Sequence, residues 1–402
     1  MLAPIGSHLG FYRVGEKTFA SKFEALIYAT TIGASPMYHY YDEVWDAALP
    51  LYKHNTNTNF LSLYKERAQR IRDKFDYLVL HFSGGVDSTT ALQSFVFNSI
   101  KLDEVYVRWP LKLLESSVYT PNPNDRRATN MLSEWDFSIK PKLDWVKANH
   151  PEIKIVIEDW TDELYKTNLD TFSESLFHKH NHNFGLANFI YSEMVSKSSL
   201  EAQAKGLRVG HIYGAEKPLI TYDSGTDSFF MFFTDIGTAS VGFQHSFNKF
   251  DTADRVDFYH APDFPQLTIA RATAMARHIR NNPGLTFLVD SKNIRLPETE
   301  RTLLSDGFQK LCARVMHPNW DPLTFQVAKM DVSNRLHHPW YHYVFNNTEF
   351  IDKQNKIETV LKDLSFGVAD RLKTFDRDGS MVGVKPVRTK FFKLNENQKH
   401  EN

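Results

Sequence analysis

The stretch YLVLHFSGGVDS, Tyr77 to Ser88, decides the reading of this chain. YLVLHF is short and nearly all apolar, as a parallel strand buried on both faces must be. Two glycines follow, and Thr89–Ser99 has the pattern of a helix. Within SGGVDS each residue type has a task. Gly84 and Gly85 permit positive φ and let backbone N–H groups approach an anion unobstructed. Successive N–H groups in such a turn form an anion-binding nest, to which the helix start adds its positive dipole end. Ser83 and Ser88 supply hydroxyls for phosphate oxygens. Asp87 suits a helix cap, or a carboxylate with Mg²⁺ between it and a polyphosphate. A plain strand-to-helix turn uses the same residue types, so the motif carries weight through its position between strand and helix.

Working outward, EVYVRW (Glu104–Trp109), KIVIED (Lys154–Asp159) and RVGHIYG (Arg208–Gly214) read as further strands. Helical patterns at Arg126–Trp135 and Pro141–His150, and a helix-rich stretch ending near Lys205, lie between them. The alternation predicts an α/β fold with a doubly wound parallel sheet over residues 76–243. Residues 1–75 read as a small α+β cap: a hairpin around Gly15-Glu16, a capping box from Ser21 to Glu24, a stop at Gly33, a third strand at MYHYY and a charged helix over Leu61–Phe75. Residues 244–392 read as a mainly helical C-terminal domain, with helices at Pro265–Arg280, Glu298–Met316 and Gln354–Leu364. Residues 393–402 read as a disordered polar tail.

Other phosphate loops are missing: there is no GxxxxGK[ST], and no GxGxxG follows a strand. Across 402 residues, 47 Lys+Arg against 48 Asp+Glu give a net charge of −1. That balance argues against a nucleic-acid coat or a polybasic membrane anchor, so nucleic acid is a partner the charge does not support. The single cysteine, Cys312, excludes an intrachain disulfide and a CxxC site. It falls in an apparent helix, FQKLCARVM, and reads as packing. A reducing compartment follows, and no apolar leader or spanning run is seen, so the expectation is a cytoplasmic protein without a membrane partner (host cytoplasm if viral). His178, His180 and His182 do not share one helical face, which weighs against a zinc site.

Glu216 and Lys217 follow RVGHIYG, and would emerge where ligands bind in open α/β sheets. There Lys217 could act as a catalytic cation toward a leaving pyrophosphate and Glu216 could hold Mg²⁺. A solvated Glu–Lys pair at a turn is the alternative. Asp159, ending KIVIED, is a fainter candidate by the same rule.

The residues SGGVDS after YLVLHF resemble the PP-loop of the ATP pyrophosphatase superfamily, the adenine-nucleotide alpha-hydrolase-like proteins. That family includes asparagine synthetase, GMP synthetase, NAD synthetase and the tRNA-thiolating enzymes. The resemblance covers the part from Asp76 to Asp235. It implies that the loop grips ATP with Mg²⁺, that a substrate oxygen attacks the α-phosphate, and that AMP and pyrophosphate are the products. It implies that Ser83, Gly84, Gly85, Val86, Asp87 and Ser88 bind the pyrophosphate, with Asp87 also a metal ligand and catalytic. His81 and Phe82 would lie near the adenosine, and Arg108 and Trp109 in the same pocket.

Glutaminase-type members begin with a cysteine after the initiator methionine, where this chain has Leu2; thiolating members use two cysteines or a bound cluster. The expectation is therefore a ligase that adenylates a carboxyl or carbonyl oxygen of an unidentified acceptor for displacement by ammonia or an amine. The nucleophile would arrive directly or from a separate ammonia- or amine-supplying protein. The layout resembles PP-loop proteins of tailed bacteriophages, which points to modification of a nucleotide, nucleic acid or amino acid. The rivals are sulfur transfer to tRNA or a base through an adenylated intermediate, and a non-catalytic ATP- or AMP-binding regulatory protein.

Overall fold

The computed structural model describes residues 10–52, 59–115, 119–126, 128–159, 161, 196–214, 218–235, 253–290, 312–319, 321, 324–326, 352, 359, 362–363, 365–375 and 381–394. The chain opens with β1 (Phe11–Val14), β2 (Lys17–Phe19), α1 (Lys22–Thr31) and β3 (Met37–His39), and the strands form an antiparallel sheet in the order β2-β1-β3. Ser21 caps α1 as its spacing predicts, accepting the Glu24 N–H at 3.4 Å. Two helices follow, α2 (Asp42–Ala48) and α3 (Phe60–Lys74).

A five-stranded, all-parallel sheet comes next. Its elements are β4 (Tyr77–His81), α4 (Val86–Val96), β5 (Glu104–Trp109), the short α5 (Leu111–Leu114), α6 (Lys140–Asn149), β6 (Lys154–Asp159), α7 (Lys197–Ala204) and β7 (Val209–Tyr213). The hairpin β8 (Leu219–Asp223) and β9 (Ser228–Phe232) intervenes before the fifth parallel strand, β10 (Ala253–Asp257). The order is β10-β7-β4-β5-β6. The chain runs outward from β4 to β6 and then returns to β7 on the other flank of β4. The reversal point therefore lies between β4 and β7, and it is there that SGGVDS leaves the sheet.

Strand alternation sends Leu78, Leu80, Val105, Val107, Ile212 and Val256 into the main core. Val79, Tyr106, Val209 and Ala253 form a second, smaller cluster with Ala202 of α7. Both faces of the sheet are thus apolar at its centre, as a parallel sheet requires. The elements α8 (Pro265–Arg280), α9 (Pro283–Val289), the short α10 (Ala313–Met316), a 3₁₀ turn (Asp370–Leu372), β11 (Lys373–Phe375), β12 (Met381–Val384) and β13 (Phe392–Lys393) follow. Among the described residues no helix is long and apolar enough to cross a membrane.

Three expectations need correction. The boundary at residues 243/244 falls inside the sheet, because β10 is its fifth strand. ADRVD escapes a search for apolar runs because three of its five residues are charged. The segments share one core: Phe23 and Trp45 of the cap, Phe95 of α4 and Leu267 of α8 belong to one cluster. Finally, the tail does not loosen at residue 393. Lys393 pairs with Phe230 of β9, and buried Leu394 donates its N–H to the Phe229 carbonyl at 2.9 Å. Ala128–Ser133 is 3₁₀ and Trp135–Ile139 is a π-turn, where a plain helix is expected. The helix expected over Gln354–Leu364 and most of Glu298–Met316 lie outside the described residues, as do His178, His180 and His182.

The cap is held by a fully buried ion pair, Lys22 Nζ to Asp235 Oδ2 at 2.8 Å. Tyr12 donates its hydroxyl to the same oxygen at 3.0 Å, and Val387 N–H donates to Oδ1 at 3.1 Å. Burial pushes the Lys22 pKa down and the Asp235 pKa up, each opposed by the partner's charge. Removing one member strands the other. Lys22→Met should therefore lower the unfolding free energy in urea by about 3–5 kcal/mol. Glu66→Ala, which breaks the exposed Arg70–Glu66 pair of α3, should change it by no more than ~0.5 kcal/mol.

Candidate functional site

The turn after β4 is built by its glycines. Gly84 has φ +73°, and a Cβ there would come within 2.6 Å of Ile139 Cγ1. Gly85 caps α4 in an extended conformation without a side-chain capping bond, so the first N–H groups of the helix have no intrahelical acceptor. Gly214, leaving β7, lets its backbone pass the helix start: a Cβ there would lie 2.8 Å from Ser88 N and 2.9 Å from Ser88 Cα. The ends of β4 and β7 and the start of α4 thus meet in the crevice where open α/β sheets bind ligands.

Ser88 is buried and braces the turn from within. Its hydroxyl accepts the Ser83 N–H at 3.3 Å, donates to the Gly85 carbonyl at 3.2 Å and lies 3.2 Å from Ser83 Oγ. The Gly84 carbonyl accepts from Ser138 Oγ at 2.8 Å and from Lys142 Nζ at 3.0 Å. Lys142 also donates to Ser138 Oγ at 2.7 Å. Burial lowers the Lys142 pKa to about 8, opposed by Glu134. The π-turn Trp135–Ile139 brings Ser138 against the loop, in keeping with the frequent occurrence of such turns at functional sites. Nothing in the spacing of Ser138 and Lys142 announces this.

Asp87 is engaged by residues far along the chain. Its Oδ1 lies 3.4 Å from Arg271 Nη2 and 3.2 Å from His317 Nε2. The Arg271 guanidinium sits 3.8 Å over the Tyr259 ring, and Tyr259 donates its hydroxyl to the Asp87 carbonyl at 2.6 Å. Thr90 Oγ1 and His317 Nδ1 are 2.9 Å apart. The tautomer of His317 decides its other bond: an Nε2 proton is donated to Asp87, whereas an Nε2 lone pair accepts from Arg271 at 3.3 Å. Arg271 is 0% exposed, and its Nε and Nη1 have no partner among the described residues. The sequence does carry a signal. Leu267, Arg271, Met275 and Ile279 recur every fourth residue on one buried stripe of α8, and the arginine is its one charged member.

Alternation divides the remaining candidates. His81 and Arg108 share the face of the sheet that carries Tyr106 and His211, whereas Phe82 and Trp109 lie in the main core. Trp109 stacks on Trp135 with centroids 6.4 Å apart. On the first face, His81 Nε2 is 3.0 Å from His211 Nδ1, whose Nε2 is 3.0 Å from Ser199 Oγ. His81 also stacks on Tyr213 at 4.1 Å. Burial, then the charge of Arg108, hold His81 well below the usual imidazole range and His211 at about 3. His81 Nδ1 has no partner among the described residues.

Glu216 and Lys217 lie outside the described residues. Asp159 caps α5, accepting from Leu111 N–H at 3.1 Å and Lys112 N–H at 3.2 Å, and it accepts from the Thr161 hydroxyl at 2.6 Å. Cys312 is fully buried, as expected of packing. Comparison with protein-family models, curated proteins and solved structures returned no match to this chain.

The neutral histidines set a pH dependence. His260, after β10, is pushed by burial and by Arg255 to about 3, like His211. In the unfolded chain such rings titrate near ~6.5. Below that pH the unfolded state takes up protons that the folded state refuses, so stability falls as pH drops. Each ring should remove up to about 1.4 kcal/mol per pH unit. Urea titrations at pH 7, 6 and 5 should show this fall, and His211→Gln should flatten it by about one proton. A slope unchanged in His211→Gln would contradict a neutral His211.

Proposed function

We propose that this chain is an AMP-forming ligase of the PP-loop type: it adenylates an oxygen of an acceptor, and ammonia or an amine displaces the adenylate. One observation carries the reading. The glycine turn Ser83–Ser88 opens α4 at the reversal point between β4 and β7, beside a buried arginine whose Nε and Nη1 have no partner among the described residues. The strand order supports the doubly wound form of the fold. In this reading the nest of N–H groups and Ser83 hold the pyrophosphate half of ATP, while Arg271 offsets the charge that grows on it as it leaves. The acceptor oxygen bonds to the α-phosphorus, the bond to the pyrophosphate oxygen breaks, and the nitrogen nucleophile then expels AMP. The His81–Arg108 face would receive the nucleoside.

Mg²⁺ enters the proposal as the counter-ion of ATP rather than as a ligand of Asp87. A divalent cation at Asp87 would meet the Arg271 guanidinium, 3.4 Å from the same oxygen, and like charges repel at that range. Cys312 favours nitrogen over sulfur as the nucleophile, because a persulfide carrier needs an accessible thiolate and this thiol is 0% exposed. A separate protein supplying ammonia or an amine remains part of the proposal.

Nucleotide products separate this reading from other ATP chemistry. The full chain, incubated with MgATP, ammonium and a panel of carboxyl and carbonyl acceptors, should yield AMP and pyrophosphate; ADP and phosphate as main products would overturn the assignment. Ser88→Ala should weaken MgATP binding by roughly 1–3 kcal/mol. Arg271→Met should weaken it at least as much, with Arg271→Lys recovering part, and circular dichroism checks that each variant is folded. Wild-type affinity in folded Ser88→Ala and Arg271→Met alike would remove the loop from the mechanism.

A further inference from the structure

The buried Gly84 carbonyl is held by more donors than burial demands. Ser138 Oγ donates to it at 2.8 Å, Lys142 Nζ at 3.0 Å and Thr89 Oγ1 at 3.3 Å. A carbonyl oxygen has two lone pairs, so three donors exceed what satisfies it. In a trans peptide the N–H of the next residue points opposite to the carbonyl. Drawing the Gly84 oxygen toward α6 therefore turns the Gly85 N–H away from α6, and that N–H has no acceptor among the described residues. We propose that Lys142 is a positioning residue: with Ser138 it holds the Gly84–Gly85 peptide so that its N–H is aimed at an anion, and it does so only while it carries its proton. That the anion is the pyrophosphate half of ATP rests on the reading above; the aiming itself does not.

The placing of the ammonium accords with this task. Lys142 is the third residue of α6, where the helix dipole opposes a cation. Its three N–H groups go to the Gly84 carbonyl, to the Ser138 carbonyl at 3.2 Å and to Ser138 Oγ at 2.7 Å. Glu134 is the charged group that faces it, and among the described residues no carboxylate is in ion-pair contact with it. The other charges nearby are engaged elsewhere. On α6, Lys140 pairs with Asp144 at 2.5 Å; on the π-turn, Asp136 accepts from the Tyr119 hydroxyl; on α4, Asp87 meets Arg271 and His317. An anion at the turn would supply the countercharge that the half-buried ammonium lacks.

Ser138 makes the brace sensitive to one proton. With Lys142 charged, Nζ donates to Ser138 Oγ and the hydroxyl donates onward to Gly84. A neutral amine has two N–H groups and a lone pair. The lone pair would accept the Ser138 hydroxyl, so Gly84 would lose that donor and keep only uncharged ones, whose bonds are roughly half as strong. Burial lowers the Lys142 pKa to about 8. The grip on an anion is therefore complete below that pH and weakens as pH rises through it, in the limit about tenfold. By reciprocity a bound anion raises the pH at which Lys142 titrates, by about one pH unit for a tenfold coupling.

Gly84-Gly85 is the one Gly-Gly peptide of the chain. Glycine labelled with ¹³C at the carbonyl and with ¹⁵N thus gives a single directly coupled carbonyl signal, that of Gly84. In the full chain without ligand this signal should titrate near pH 8; in Lys142→Met and in Lys142→Arg it should not. Calorimetry with pyrophosphate and with MgATP should show affinity falling about fivefold between pH 7 and pH 9, part of the full tenfold. Lys142→Met should bind weakly at both pH values and Lys142→Arg, whose charge persists, well at both, circular dichroism checking that each is folded. A Gly84 signal that does not titrate, one that titrates as before in either variant, or an anion affinity with the same pH dependence in wild type and Lys142→Met would overturn the proposal. A Gly84 titration that is lost in both variants, in a chain that binds neither probe, would uphold the aimed peptide and sink the nucleotide reading alone.

Discussion

A guanidinium cannot shed its charge, so burying one obliges the surrounding chain to supply an anion. Arg271, fully enclosed on α8, meets that demand with Asp87 of the turn after β4, with the Tyr259 ring beneath it. The rest of the site follows from this pairing. Tyr259 is placed by Thr268, which donates to its carbonyl at 2.7 Å from one turn before Arg271 on the same helix. His317 is placed by Thr90, one turn into α4. The start of α4 is thereby fixed from outside the sheet, by residues some two hundred positions later in the chain. Among the described residues Asp87 is its one carboxylate partner, and Nε and Nη1 have none, so a second anion at the mouth of the turn would lower its energy.

Much of the architecture was legible because buried parallel strands are short apolar runs. YLVLHF and EVYVRW at the centre and KIVIED at one edge are read directly as strands, and β5 and β6 occupy the spans expected. ADRVD, at the other edge, was not legible, since three of its five residues are charged and no apolar run marks it. The glycines of the turn were also readable, because positive φ and close approach leave few alternatives at Gly84. Lys142 and Ser138 were not, because they reach the Gly84 carbonyl through a π-turn that no spacing rule anticipates. Asp87 was recognised as important, but its buried partner was not foreseen. A carboxylate beside a phosphate turn suggests a metal, and a buried arginine lies within reach of it as well. Arg271 itself was visible as a charge on an apolar stripe, which makes sense only if something buried pairs with it.

The sheet departs from apolar patterning at the C-terminal end of one face. On that face Val79 is followed by His81, Tyr106 by Arg108, Val209 by His211 and Ala253 by Arg255. The change toward polar side chains therefore happens along each of these strands, toward the end where the phosphate turn begins. Arg108 and Arg255 add positive charge, which together with burial keeps His81 uncharged. A neutral histidine pair leading to Ser199 can move a hydrogen bond along its length without carrying charge through the interior.

The segment Asp257–Asp263 joins these features. Its carbonyls at Asp257 and Phe258 bind Arg67 of α3, its Tyr259 binds the turn, and its His260 packs 4.1 Å from Phe233 and 4.9 Å from Tyr40. Each contact uses a different residue in succession, so the segment cannot shift toward the cap without pulling on Asp87. Packed interiors change between discrete arrangements rather than deforming smoothly. A displacement at His260 is consequently transmitted to the start of α4 through a single intervening residue, Tyr259, while the cap shares one core with α8.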